Sequence, residues 1–161
     1  MAREEIRLGI VGLGNHSRTH VGALRKTGRK ARFVACCDVR KDLAWAWANE
    51  VQCERVYNDV EDMARRETLD GIVLVTWPVQ HRDQIRLFLR SGVRHVLCEK
   101  PLAMGASEAL EVWAAARESD GVVMEGLMFR HHPAFRRFER LVASGEAGRV
   151  ESLRGSFHWR D

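Results

Sequence analysis

The sequence predicts an α/β fold: a doubly wound parallel sheet, followed by only the first elements of a second, α+β domain. Three observations carry this. Short apolar runs alternate with helix-period segments along the chain, the pattern of a parallel sheet covered on both faces. A glycine-rich turn, Gly12-Leu13-Gly14-Asn15-His16-Ser17, joins the first run to the first helical segment. The run Val96-Leu97-Cys98 leads directly into Glu99-Lys100-Pro101, at the carboxyl end of a strand, where ligands of such sheets bind.

The elements follow in order. Residues 7–11 are the first strand and 17–26 the first helix; the second strand, 32–37, ends at Asp38. Residues 40–50 carry Leu43, Trp45, Ala46 and Trp47 in a helix-compatible pattern, 55–57 is a short strand, and Asp59 is placed to cap a helix over 60–66. A nearly continuous apolar strand at 71–76 precedes a helix at 83–90 that Gly92 stops. The strand at 93–98 ends at the lysine, the Ala-rich stretch 107–118 has good helix propensity, and 122–125 is a further short strand. Pro133 opens an amphipathic helix bearing Phe135, Phe138, Leu141 and Val142, which Gly145 and Gly148 break. Alternation over 150–159 suits a strand. We therefore expect a nucleotide-binding domain over 1–125 and, over 126–161, a connecting helix and the first strand of a substrate domain.

The composition narrows the function classes. With 45% hydrophobic and 30% charged residues the chain reads as soluble and globular, and it has no uninterrupted apolar stretch long enough for a bilayer, so no membrane partner is expected. Met1-Ala2-Arg3-Glu4-Glu5 runs into the first strand without an apolar signal region, which points to the cytoplasm. Cys36 and Cys37 are adjacent while Cys53 and Cys98 stand alone; neither a disulfide framework nor a zinc-ligand spacing is visible, and no metal is expected. The net charge of +4 is spread among acids along the helices, which argues against nucleic acid and leaves some attraction for an anionic cofactor.

The glycine turn has the context of a pyrophosphate site. Gly12 permits the tight turn and Gly14 lets the backbone approach phosphate, whose charge the amides at the helix start, around Asn15 and His16, receive. Ser17 stands where a third glycine or alanine is usual; it is small, and its hydroxyl could add a phosphate contact. Asp38 lies 24 residues beyond Gly14, close to the spacing of about 20 at which a carboxylate accepts from the ribose hydroxyls. It could equally cap the next helix. Its charge repels a 2′-phosphate and favours NAD, while Arg40 and Lys41 could accommodate NADP.

Pro101 restricts Lys100 to extended geometry and so limits the directions in which its ammonium projects. Taken singly, Lys100 also fits a solvated turn lysine ahead of a helix-starting proline.

With the turn, Asp38, the segment Thr76-Trp77-Pro78-Val79-Gln80-His81 and Glu99-Lys100-Pro101 all in this order, the chain resembles, over essentially its whole length, the glucose-fructose oxidoreductase / inositol dehydrogenase / rhizopine-catabolism (Gfo/Idh/MocA) family. The family pattern after the third main strand is Thr-Pro-x-x-x-His, so Trp77 replaces a proline. The segment from Met124 to Pro133 looks like that of members acting on pyranose sugars and dihydrodiols. The resemblance implies a Rossmann domain binding NAD or NADP and hydride transfer at a sugar-like or polyol carbinol. It places Lys100 at the substrate end of the nicotinamide as the catalytic residue, where its ammonium could stabilise a developing alkoxide. It further implies that Glu99 contacts the cofactor ribose, that the Lys100–Pro101 bond is cis, and that Thr76, Trp77, His81 and Pro101 border the cofactor crevice. His131 and His132 could border substrate or serve the loop.

Members of that family continue into a second domain that supplies further catalytic groups, and residues 151–159 resemble only its first strand. Three expectations stay open: part of an ordinary dehydrogenase, a dinucleotide-binding module without turnover, or a chain whose site another chain completes. An unpaired terminal strand bearing Leu153, Phe157 and Trp159 would invite self-association or a partner chain. A nucleic-acid regulator ranks last, for want of a basic recognition helix.

Overall fold

The computed structural model describes residues 5–28 and 30–156. The chain divides into two compact units, Met1–Gly126 and Leu127–Asp161. The first unit holds one six-stranded parallel sheet of strands β1 (Ile6–Val11), β2 (Ala31–Cys37), β3 (Arg55–Tyr57), β4 (Gly71–Leu74), β5 (His95–Cys98) and β6 (Val122–Glu125), in the order β3-β2-β1-β4-β5-β6. This is the doubly wound arrangement, with the strand order reversing at β1 and β4 and opening a crevice there. The helices between strands are α1 (Ser17–Lys26), α2 (Lys41–Val51), α3 (Val60–Arg66), α4 (Pro78–Arg90) and α5 (Ala106–Glu118).

Alternation along the strands builds two cores. Ile10, Cys36 and Val73 face one side with Val21 of α1 and Ala44, Trp47 and Ala48 of α2. Val11, Ile72, Leu74 and Cys98 face the other with Met63 of α3, Ile85 and Phe88 of α4, and Val112 of α5. Along β2 the period-2 rule breaks, since Phe33 joins the first core while Val34 and Ala35 both join the second. The register explains it: Leu8 pairs with Phe33 and Gly9 with Ala35, so Val34 is the extra residue of a bulge.

Most boundaries match the sequence reading to within a residue or two, and Asp59 caps α3 by accepting from the N–H groups of Glu61 and Asp62. Two expectations change. Helix α4 starts at Pro78 rather than at residue 83, because Pro78 takes the first helical position, where its missing N–H costs nothing. The strand expected over 150–159 is absent over residues 150–156, which carry no regular structure, and residues 157–161 lie outside the described residues. Self-association through a terminal strand therefore has no strand to rest on within 150–156.

In the second unit a 3-10 turn, Met128–His131, precedes α6 (Pro133–Ala143). Phe129 meets Phe135 edge-on with ring centroids 5.0 Å apart. His132 is the N-cap of α6, its Nδ1 accepting from Ala134 N–H at 3.2 Å, so its structural role is capping. No helix among the described residues is long and apolar enough to cross a membrane.

Candidate functional site

The carboxyl ends of β1, β2, β4, β5 and β6 are laced together just beyond the sheet. Gly12 N–H donates to the Cys37 carbonyl, Val75 N–H to that of Val11, Glu99 N–H to that of Leu74, and Gly126 N–H to that of Cys98. The loops after these strands therefore leave at fixed positions. Gly12 is required by its neighbours: its φ is +86°, and a Cβ there would come within 2.5 Å of the Val75 carbonyl oxygen. Gly14 differs, since a Cβ there would meet nothing within 4 Å. The protein leaves the space over Gly14 open, which suits an external group approaching the backbone.

The amides of the turn divide into engaged and available donors. Leu13 N–H donates to Asp38 Oδ2 at 2.9 Å, and those of Ser17, Arg18 and Thr19 donate back to the carbonyls of Gly14, Asn15 and His16. The N–H groups of Gly14, Asn15 and His16 have no acceptor among the described residues. They lie at the start of α1, where the helix dipole favours an anion.

Ser17 is fully buried. Its hydroxyl donates to the Gly14 carbonyl at 2.6 Å and accepts from Trp47 Nε1 at 2.9 Å, so the phosphate contact considered for it does not arise. Trp47, also fully buried, thereby braces the turn from beneath and packs against Phe33. That contact spans 30 residues of sequence and went unread, because a tryptophan in an amphipathic helix reads as ordinary core.

Asp38 follows β2 with its side chain only 10% exposed. Oδ1 accepts from Arg40 N–H at 3.0 Å and Oδ2 from Leu13 N–H; each carboxylate oxygen keeps a second lone pair for a ligand. The N-cap position of α2 is held by Arg40, so Asp38 shapes the turn ahead of the helix rather than capping it. Arg40 Nε lies 3.6 Å from Asp38 Oδ1, and the arginine side chain is largely exposed.

Thr76 Oγ1 donates to Gln84 Oε1 at 2.6 Å. Trp77 is 77% exposed, so the replacement for the usual proline does not pack into the domain. His81 is the clearest departure from expectation. It is fully buried, with Nδ1 2.8 Å from the Pro101 carbonyl oxygen and Nε2 3.1 Å from that of Thr76. It positions two site loops relative to one another and does not line the crevice.

The peptide bond Lys100–Pro101 is cis. Lys100 is exposed beside a buried Glu99, and Leu102 N–H donates to Glu125 Oε1 at 2.8 Å, tying the loop to the end of β6. Glu99 Oε1 is approached by Nε2 of His16 at 3.0 Å and of His20 at 2.9 Å, while Oε2 accepts from Lys100 N–H at 3.3 Å. Burial is the largest single influence on Glu99 and pushes its carboxyl up. The His20 hydrogen bond and the neighbouring His16 and His20 charges outweigh it and hold the group below its ordinary value. Burial likewise dominates for His20 and lowers it despite the Glu99 contact. His20 was not singled out from sequence; its partner lies 79 residues away.

The structure thus gathers Gly12, Gly14, Asn15, His16, Asp38, Thr76, Trp77, Glu99, Lys100 and Pro101 around the strand ends, with His81 beneath them. Residues 6–127 match the family described as "Oxidoreductase family, NAD-binding Rossmann fold". The chain is 32% identical over 154 residues to trans-1,2-dihydrobenzene-1,2-diol dehydrogenase of Danio rerio, an alignment covering 94% of this chain and 46% of that protein. It is 32% identical over 153 residues to D-xylose 1-dehydrogenase (NADP(+)) 2 of Haloferax volcanii, covering 95% and 45%. Among solved structures it resembles the WlbA dehydrogenase of Bordetella pertussis in complex with NADH and UDP-GlcNAcA, with TM-score 0.83, 26% identity and coverage of 90% and 44%. The chain spans less than half the length of these proteins.

Proposed function

The chain belongs to the Gfo/Idh/MocA oxidoreductase family with an NAD-binding Rossmann fold, and from that premise we propose that its first unit binds NAD(H), and NADP(H) less well, for hydride exchange with a sugar-like or polyol carbinol. The observation that carries this is the set of three amides, Gly14 to His16, that have no acceptor among the described residues at the start of α1, in a turn left open above Gly14. In this reading those amides receive the pyrophosphate and Asp38 accepts from the adenosine ribose. Glu99, Thr76, Trp77 and Pro101 border the nicotinamide half. The cofactor supplies the hydride chemistry. Lys100 donates a hydrogen bond to the substrate oxygen and stabilises the negative charge that develops there.

Asp38 favours NAD, and the exposed Arg40 beside it is the group that would pair with a 2′-phosphate. We assign residues 1–125 to dinucleotide binding and 126–161 to the start of a substrate-side unit. Four buried free thiols suit a reducing compartment such as the cytoplasm.

Titration of the protein with NADH by fluorescence tests the reading. A Cβ at Gly14 would meet nothing within 4 Å, so Gly14→Val should leave the melting temperature nearly unchanged and weaken NADH binding at least about tenfold. Equal NADH affinity in wild type and variant would refute the pyrophosphate assignment. Lys100→Met should leave NADH affinity close to wild type, since its role lies on the substrate side; a loss equal to that of Gly14→Val would contradict that role.

A further inference from the structure

Nε2 of His16 and Nε2 of His20 converge on a single oxygen, Oε1 of Glu99, at 3.0 and 2.9 Å. One ligand atom from each residue lies within 4.8 Å of the other two, and no other such group of three His, Cys, Asp or Glu side chains occurs among the described residues. We propose that these three side chains bind a divalent transition-metal ion of the zinc class, bridging the start of α1 to the end of β5.

The helix sets up two of the ligands. His16 and His20 are four residues apart at the start of α1, which puts both rings on one face. The rings meet edge to face with centroids 5.5 Å apart, so both Nε2 atoms can address a common point. Two imidazoles and a carboxylate form a recognised zinc donor set with bonds of about 2.1 Å. A tetrahedral ion with such bonds separates its ligand atoms by about 3.4 Å. The observed 2.9 and 3.0 Å contacts therefore need open only by a few tenths of an ångström.

The surroundings favour the ion as well. Glu99 is oriented by the Lys100 N–H on Oε2, the kind of outer contact that fixes a ligating carboxylate. Gly126 avoids crowding Oε1, since a Cβ there would come within 3.2 Å of that oxygen. Access is through His16, whose side chain is 46% exposed against 16% for His20 and 10% for Glu99. Three protein ligands with one open side leave a position for water. The sequence analysis expects no metal because the third ligand is remote in sequence: only the parallel pairing of strands brings the end of β5 beside the turn after β1.

His16 and Glu99 also border the dinucleotide in the function proposed above. Competition between ion and dinucleotide would follow, and that consequence rests on the earlier reading, whereas ion binding does not.

The test titrates the full chain, free of dinucleotide, with Co2+ and then with Zn2+. Expected are one saturable Co2+ per chain with visible ligand-field bands of a low-coordinate ion, displacement by Zn2+, and affinity reduced at least about tenfold in His16→Ala and in His20→Asn. Circular dichroism checks that each variant is folded; if His20→Asn is not, His16→Ala at its exposed position decides. Absence of saturable binding overturns the proposal. So does an unchanged Co2+ spectrum and affinity in the folded variants, which would place the ion on other ligands such as the cysteines. Failure of NADH to bind would count only against the dinucleotide reading, since this titration contains none.

Discussion

The backbone N–H of Leu13 donates to Oδ2 of Asp38 at 2.9 Å, so the carboxylate at the end of β2 both shapes the glycine turn and faces the space beyond it. Removing the side chain should therefore do two kinds of damage. Asp38→Ala is expected to weaken NADH binding at least about tenfold, the loss of one or more charge-assisted hydrogen bonds. Asp38→Asn keeps an acceptor for Leu13 but loses the charge, and should shift the NADPH-to-NADH affinity ratio toward NADPH. Parallel fluorescence titrations measure both, and an unchanged ratio in Asp38→Asn would argue against a selectivity role.

His81 touches the carbonyls of both Thr76 and Pro101 from a fully buried position. His81→Ala leaves a cavity and takes the one imidazole N–H away from these carbonyls, and should cost about 2–4 kcal/mol of stability. Urea denaturation provides the number. A loss below about 0.5 kcal/mol, the range of an ordinary surface change, would mean that the buried ring holds nothing in place.

Ser17 separates a structural from a ligand role. Ser17→Ala strands the Trp47 indole N–H, and should destabilise by about 1–3 kcal/mol. Dinucleotide affinity should change little, because the hydroxyl is already committed to Gly14 and Trp47. A large affinity loss with unchanged stability would restore the phosphate contact.

Alkaline pH should destabilise the first unit. Burial pushes the thiols of Cys37 and Cys98 up to about 12, and burial followed by the Glu67 contact pushes the Tyr57 hydroxyl up to about 12. Groups raised in the folded state favour folding below their unfolded values, near 9 for the thiols and 10 for the tyrosine. That contribution is lost as pH rises toward about 12. The urea midpoint should therefore fall steadily from pH 9 upward, and a flat profile to pH 11 would contradict the shifts. Burial of the same thiols predicts slow alkylation in native buffer at neutral pH.

Local signals carried most of the fold. Apolar runs of strand length, the Asp59 cap and the glycine stops act between near neighbours, so the element order and most boundaries follow from the sequence alone. The glycine turn, Asp38 and Glu99-Lys100-Pro101 were likewise legible, because each sits at the end of a recognisable strand. The start of α4 differs from the expected one because Pro78 serves as a first helical residue. The strand expected over 150–159 rested on alternation alone, and over 150–156 no neighbouring strand supplies the ladder that alternation needs.

The sequence by itself determined an α/β sheet and the residues that end its strands, since these depend on periodicity and local backbone chemistry. Only the tertiary structure decided what those residues touch. It buried His81 under the site, committed Ser17 to Trp47, and set His16 and His20 against Glu99, because pairing β1 with β4 and β4 with β5 brings together segments dozens of residues apart.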